Sequence, residues 1–155
     1  MIWKQKSFYI ALGIPLAVGG LAALLSGGMA DFGEMNKPPL SPPGWVFPVV
    51  WTILYLLMGY SSYRIYTSDA PKHKIRSALK LYIGQLAANF LWPLVFFGFH
   101  WYLPAFFVLL ALWVLIFWTI QRFTRLDTKA GDLLLPYLIW VTFAGYLNLG
   151  IYLQN

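Results

Sequence analysis

Leu81–Gln121 reads LYIGQLAANFLWPLVFFGFHWYLPAFFVLLALWVLIFWTIQ, forty-one residues without a formal charge. A helix crosses the hydrocarbon core of a bilayer in roughly 20 residues, so this stretch is about twice the needed length. Gly98-Phe99-His100-Trp101-Tyr102-Leu103-Pro104 interrupts it with turn-forming and interfacial residues. The window therefore divides into two spans, Leu81–Phe97 and Leu103–Ile120. Three further charge-free windows, Ser7–Ala30, Pro38–Tyr63 and Leu133–Asn155, supply spans at Phe8–Leu25, Trp45–Tyr63 and Leu133–Leu153. The expected fold is an all-α membrane protein, a five-transmembrane-helix bundle forming a single domain over residues 1–155.

Charge supports the division. Lys4, Lys6, Arg64, Lys72, Lys74, Arg76, Lys80, Arg122, Arg125 and Lys129 fall on one side of a five-span chain, and Lys37 alone on the other. An unbroken third window would scatter them. The positive-inside rule places the crowded side in the cytoplasm. The expected location is thus a multi-pass position in a bacterial inner (plasma) membrane, amino terminus inside. The net charge of +6 reads as an orientation signal and a contact with anionic lipid, not as a nucleic-acid footprint. Sixty per cent hydrophobic residues and ten per cent charged ones fit no soluble domain of this size. The absence of cysteine removes disulfides and thiolate chemistry. Lys4 and Lys6, an apolar run and Gly28-Met29-Ala30 resemble a signal peptide, but Ser7–Leu25 exceeds the usual h-region of ~7–15 residues and reads as a span.

Polar and aromatic residues at depth carry more information. Phe47, Trp51, Tyr55 and Met58 share one helical face, as do Gln85, Asn89, Trp92 and Phe96. Trp140, Ala144 and Asn148 line up on the last span. Lipid cannot satisfy an amide, so Gln85, Asn89 and Asn148 must face the bundle interior. Two readings stay open: a core glued by interhelical amide bonds, or a cavity for a flat, apolar, partly polar ligand. Gly13, Ala17, Gly19, Gly20 and Ala23 let the first span approach a neighbour closely. Gly84-x-x-x-Ala88 reads equally as packing within the chain or as a dimer seam. Pro15, Pro48, Pro93 and Pro136 are expected to bend four helices. Trp3, Tyr63, Tyr66, Trp101, Tyr102 and Tyr152 read as interfacial anchors. His73 and His100 lie in loops, away from any carboxylate at ligand spacing, so no metal site is expected. No standard catalytic motif is present, and the charge-free spans offer no ion-coupling site.

Asn36-Lys37-Pro38-Pro39-Leu40-Ser41-Pro42-Pro43-Gly44-Trp45-Val46-Phe47-Pro48-Val49-Val50-Trp51-Thr52-Ile53-Leu54-Tyr55 resembles the K-P-x-W-x-P-P-x-W-x-F-P-x-x-W-T-x-L-Y signature of the TspO/MBR family. Asn89-Phe90-Leu91-Trp92, running on to Phe96-Phe97-Gly98, is similar to its N-x-x-W-x-x-x-F-F-G. Pro136-Tyr137-Leu138-Ile139-Trp140, with Ala144 and Leu147-Asn148, is similar to its P-Y-L-x-W-x-x-x-A-x-x-L-N. The resemblance implies a five-helix bundle, often dimeric, that binds porphyrins such as protoporphyrin IX and related planar hydrophobic molecules. It implies ligand-binding roles for Trp51, Tyr55, Asn89, Trp92, Trp140, Ala144 and Asn148; Phe47 joins them on the shared face. It requires no cofactor beyond porphyrin or a haem-like tetrapyrrole as ligand. It also implies, for some members, light-dependent porphyrin breakdown through tryptophans matching Trp51 and Trp140, so enzymatic activity stays open. A binding protein or sensor, a porphyrin-degrading enzyme and a passive transporter are the three readings, in that order. Leu40 and Asp31-Phe32 depart from the family's aromatic residues in the first loop. The animal sterol-recognition pattern is absent at its usual place after the fifth span.

Overall fold

The computed structural model describes residues 2–25 and 38–155, with side chains from residue 5 onward. Readings that fall on Trp3, Lys4, Gly28-Met29-Ala30, Asp31-Phe32, Asn36 and Lys37 lie outside the described residues or side chains. Five helical stretches are long and apolar enough to cross a bilayer, and the chain is a multi-pass membrane protein. Helix α1 covers Ile2–Leu25. Helix α2 covers Val46–Tyr66. Helix α3, Lys72–Pro93, continues through a π-helical turn at Leu94–Gly98. Helix α4 covers Tyr102–Leu126. A short helix, α5 (Thr128–Leu133), leads into α6 (Leu135–Gln154).

The helices outrun the charge-free windows at one end. There α2 carries Arg64, α3 carries Lys72 to Lys80, and α4 carries Arg122 and Arg125. Arg64 joins these connections: its Nε donates to Asp127 Oδ2 at 3.1 Å and Nη2 to Oδ1 at 3.4 Å. Asp127 also caps α5, accepting from the Lys129 and Ala130 backbone N–H groups. Ser61 Oγ donates to the Ala130 carbonyl at 2.7 Å, and Gly131 lies against Thr124. Helix α5 thus plugs the corner between α2 and α4.

The expectation of four proline bends is corrected. Pro48 and Pro136 sit in the first turns of α2 and α6, where a proline removes no helical hydrogen bond. Pro15 lies inside α1. Pro93 stands where the α-helix gives way to the π turn; Phe99 N–H reaches back to the Leu94 carbonyl at 3.0 Å. His100 follows with φ 57°, the left-handed turn that starts α4 on its return.

Helix α1 lies closest to α2. A Cβ on Gly59 would stand 2.6 Å from the Ala11 carbonyl oxygen and 2.7 Å from Leu12 Cα. The contact is backbone against backbone, so neither side can yield. Gly13, by contrast, faces open space. Gly59→Val should separate α1 from α2 and destabilise the bundle by about 1–3 kcal/mol, the range for overpacked sites. Gly13→Ala should leave it unchanged. Thermal unfolding of both variants in one detergent checks this.

Candidate functional site

The predicted inward faces of α2 and α3 are buried. Phe47, Trp51, Tyr55 and Met58 on α2, and Gln85, Asn89, Trp92 and Phe96 on α3, are all at most 9% exposed. A polar chain links them. Tyr55 Oη donates to Asn89 Oδ1 at 2.9 Å. Asn89 Nδ2 donates to Tyr137 Oη at 2.7 Å, and Tyr137 Oη donates to Gln85 Oε1 at 2.6 Å. Three helices are therefore joined through the amides of α3. One turn further along, Trp92 Nε1 donates to Asn148 Oδ1 at 2.9 Å, while Asn148 Nδ2 donates to the Tyr102 carbonyl at 2.8 Å.

Beside this chain lies a hollow of about 220 Å³ between α1, α2 and α3. One wall is aromatic and polar: Trp51, Tyr55, Asn89 and Trp92. The opposite wall is made small by Gly19, Gly20, Ala22 and Ala23 of α1. Trp51 stacks on Tyr55 (centroids 5.6 Å apart, planes at 27°) and tilts against Trp92 at 6.5 Å. The three rings thus form one continuous aromatic cluster along that wall. Gly19 is close-fitting, since a Cβ there would overlap the Tyr55 ring. Gly20 meets nothing within 4 Å.

The structure divides the predicted site residues. Trp51, Tyr55, Asn89 and Trp92 line the hollow; Phe47, Trp140, Ala144 and Asn148 do not. Phe47 and Trp140 meet edge to face at 5.7 Å, and Trp140 packs on Phe143. Ala144 and Asn148 are buried on α6, Asn148 fixing the Trp92 indole. The inward face of α6 is Tyr137, Val141, Ala144 and Asn148, so Trp140 stands at its margin, half-buried. Its indole N–H is buried without an acceptor among the described residues. Sequence reasoning missed two contributors. Tyr137, whose hydroxyl joins Gln85 to Asn89, was visible as the position one helical turn before Val141. The α1 strip was visible as small residues but carried no polar mark.

The end of the first loop is pinned to α6. Tyr146 Oη donates to the Pro39 carbonyl at 2.6 Å, and Pro38 lies so close to Gly150 that a Cβ there would stand 2.5 Å from the ring. Leu40 follows with φ 71° and an exposed side chain.

A bundle of five spans, with three aromatic and amide faces converging in family order, agrees with the comparisons. The TspO/MBR family profile matches residues 11–153. The chain belongs to the TspO/MBR family. It is 41% identical over 144 residues to the tryptophan-rich sensory protein of Cereibacter sphaeroides, covering 92% of this chain and 85% of that one. It is 36% identical over 137 residues to protein CrtK of Rhodobacter capsulatus, covering 88% and 85%. It is 36% identical over 129 residues to the translocator protein of Bos taurus, covering 83% and 76%.

Tyr137→Phe would leave Gln85 Oε1 and Asn89 Nδ2 buried without their partner. Interhelical hydrogen bonds in membranes average about 0.6 kcal/mol and reach about 1.7. With two broken, the loss should be about 1–2 kcal/mol. Trp113→Phe, which removes an outer bond to Thr142 Oγ1, should cost less than half of that. Unfolding in detergent compares the two.

Proposed function

We propose that this protein binds a planar, largely apolar tetrapyrrole of the protoporphyrin IX or haem type in the hollow between α1, α2 and α3. The observation that carries this reading is the pairing of an aromatic wall, Trp51, Tyr55 and Trp92, with an opposed strip of glycine and alanine. Flat rings stack on the first, and the second leaves them room. Family membership supports the same reading.

The hollow of about 220 Å³ falls short of the ~300–1,000 Å³ of sites for drug-sized ligands. Binding therefore widens it. Helix α1 is the least buried of the five spans. It meets α2 backbone to backbone at Gly59 and touches α3 less extensively. The seam that opens is the one between α1 and α3, with α1 pivoting on its contact with α2 while Tyr55 stays bonded to Asn89.

Three polar groups of the wall are already engaged. Tyr55, Asn89 and the Trp92 indole bond within the protein. Stacking and fit, more than new hydrogen bonds, then set affinity. Trp51, Tyr55, Asn89 and Trp92 face the ligand in this reading. Asn148 positions the Trp92 ring, Ala144 keeps α6 close, and Phe47 with Trp140 backs Trp51 through the aromatic cluster. The role is capture or sensing of the ligand. We place the basic end of the bundle in the cytoplasm, on the charge asymmetry of the loops. We further infer a homodimer through Gly84 and Ala88, because Gly84 faces open space within the chain.

Protoporphyrin IX should quench tryptophan fluorescence of the purified protein saturably. Gly20→Leu fills open space at the mouth and should weaken that binding at least ten-fold without lowering the unfolding temperature. Wild-type affinity in a folded Gly20→Leu, Trp51→Phe double variant would remove the ligand from this hollow.

A further inference from the structure

Away from the hollow, the basic end carries an open groove of about 720 Å³ between the end of α2 and the start of α3, lined by Tyr66, Lys72, Ile75, Arg76, Leu79, Lys80 and Ile83. Its residues form two rows on α3. Lys72, Arg76 and Lys80 are spaced by four, so their cations stack along one face. Ile75, Leu79 and Ile83, also spaced by four, run beside them. All three cations are exposed, and none forms an ion pair among the described residues. Asp69 is the only acidic residue between Arg64 and Lys80. The one ion pair at this end among the described residues, Arg64 with Asp127, uses neither the row nor Asp69.

Depth matches the two rows to one kind of molecule. Helix α3 with its π turn runs 27 residues, Lys72–Gly98. At 1.5 Å per residue that is about 40 Å, some 10 Å longer than the hydrocarbon core. With Gly98 at the far boundary, Lys72 and Arg76 stand at headgroup level. Lys80 lies at the edge of the hydrocarbon and snorkels. Ile83, 56% exposed, lies within the acyl region. Tyr66, also exposed, sets an aromatic ring beside the cations, where an interfacial tyrosine belongs. Positive charge above and an apolar channel below are the complement of a lipid with a negative headgroup.

We propose that this groove seats one anionic diacyl phospholipid, its phosphate among Lys72, Arg76 and Lys80 and its acyl chains along Ile75, Leu79 and Ile83. Arg76, in the middle of the row, supplies the guanidinium fork that grips two phosphate oxygens. Lys80 draws the headgroup down to the level at which the chains meet Leu79. Lys74 lies outside the groove and contributes only to the general field of this face.

The test uses the full-length protein in neutral detergent, titrated with dioleoyl phosphatidylglycerol or dioleoyl phosphatidylcholine and read by native mass spectrometry. A first phosphatidylglycerol should be retained in preference to phosphatidylcholine. Lys72→Gln, Arg76→Gln and Lys80→Gln should each weaken its retention roughly five-fold, the effect of one basic residue beside an anionic surface. Lys74→Gln makes the same charge change and should weaken it by less than two-fold. Leu79→Ser should weaken it with no charge altered. Equal retention of the two lipids would overturn the proposal. So would a Lys74→Gln effect as large as that of Arg76→Gln, which marks diffuse attraction. Competition by glycerol phosphate as effective as the whole lipid would reassign the row to a free anion. Capture of a poly-glutamate peptide in place of the lipid would reassign it to an acidic protein segment.

Discussion

The bundle depends on a constraint that water does not impose: at membrane depth a side-chain amide must find its partner inside the protein. Helix α3 carries two such amides, Gln85 and Asn89, one turn apart, and an indole N–H at Trp92. Their partners lie on α2 and α6, and Gln85 Nε2 alone of these amide groups is buried without one among the described residues. Asn89 takes Tyr55 of α2 and Tyr137 of α6; Gln85 shares the same Tyr137; Trp92 takes Asn148. These bonds fix the rotation of α3 about its axis. A turn of α3 by one residue, 100°, would carry every one of them out of reach. They also hold α2 and α6 at a distance where backbones barely approach and aromatic rings fill the space, as in Trp51 against Tyr137 at 6.2 Å.

The five spans and the buried faces of α2 and α3 were legible in the sequence, and the reason is physical. Absence of charge over 20 residues has few meanings other than hydrocarbon. An amide within such a run can point only inward. The face of α6 was less legible. Trp140, Ala144 and Asn148 are spaced by four, and steps of four drift 40° each from a 3.6-residue helix. The observed face, Tyr137, Val141, Ala144 and Asn148, alternates steps of four and three and stays straight. Trp140 drew the eye by its size, Tyr137 less so, because a tyrosine in a membrane span is as ordinary at an interface as in a core. Helix α5 was counted as loop, since six residues are too few to show a period. Only Asp127 before Thr128 marks it, as an N-cap.

The hollow was less legible still, because half of it is made of what α1 lacks. Gly19, Gly20, Ala22 and Ala23 contribute volume by having no side chain to fill it. A strip of small residues reads the same in a sequence whether a neighbouring helix closes on it or a cavity remains. Along α1 both outcomes occur. Gly19 receives the ring of Tyr55, while Gly20, one residue on, meets nothing. Opposite Gly20 the hollow is bounded on α2 and α3 by Pro48 and Pro93, whose side chains are short, together with the rings of Trp51 and Trp92.

That arrangement assigns separate tasks to separate contacts. The polar bonds of α3 hold α2, α3 and α6 in one rigid unit on which the aromatic wall is mounted. Apart from its close approach at Gly59, α1 is held by small-residue packing and ring contacts such as Phe8 on Tyr63 at 5.3 Å. These contacts are apolar, so separating α1 from α3 leaves the polar chain of Tyr55, Asn89, Tyr137 and Gln85 intact. Opening a seam beside Asn89 and Tyr137 would strand several polar groups. Under the binding proposed above, a ligand larger than the resting hollow would gain room most cheaply by displacing α1 from α3, and the aromatic wall would not need to move to admit it.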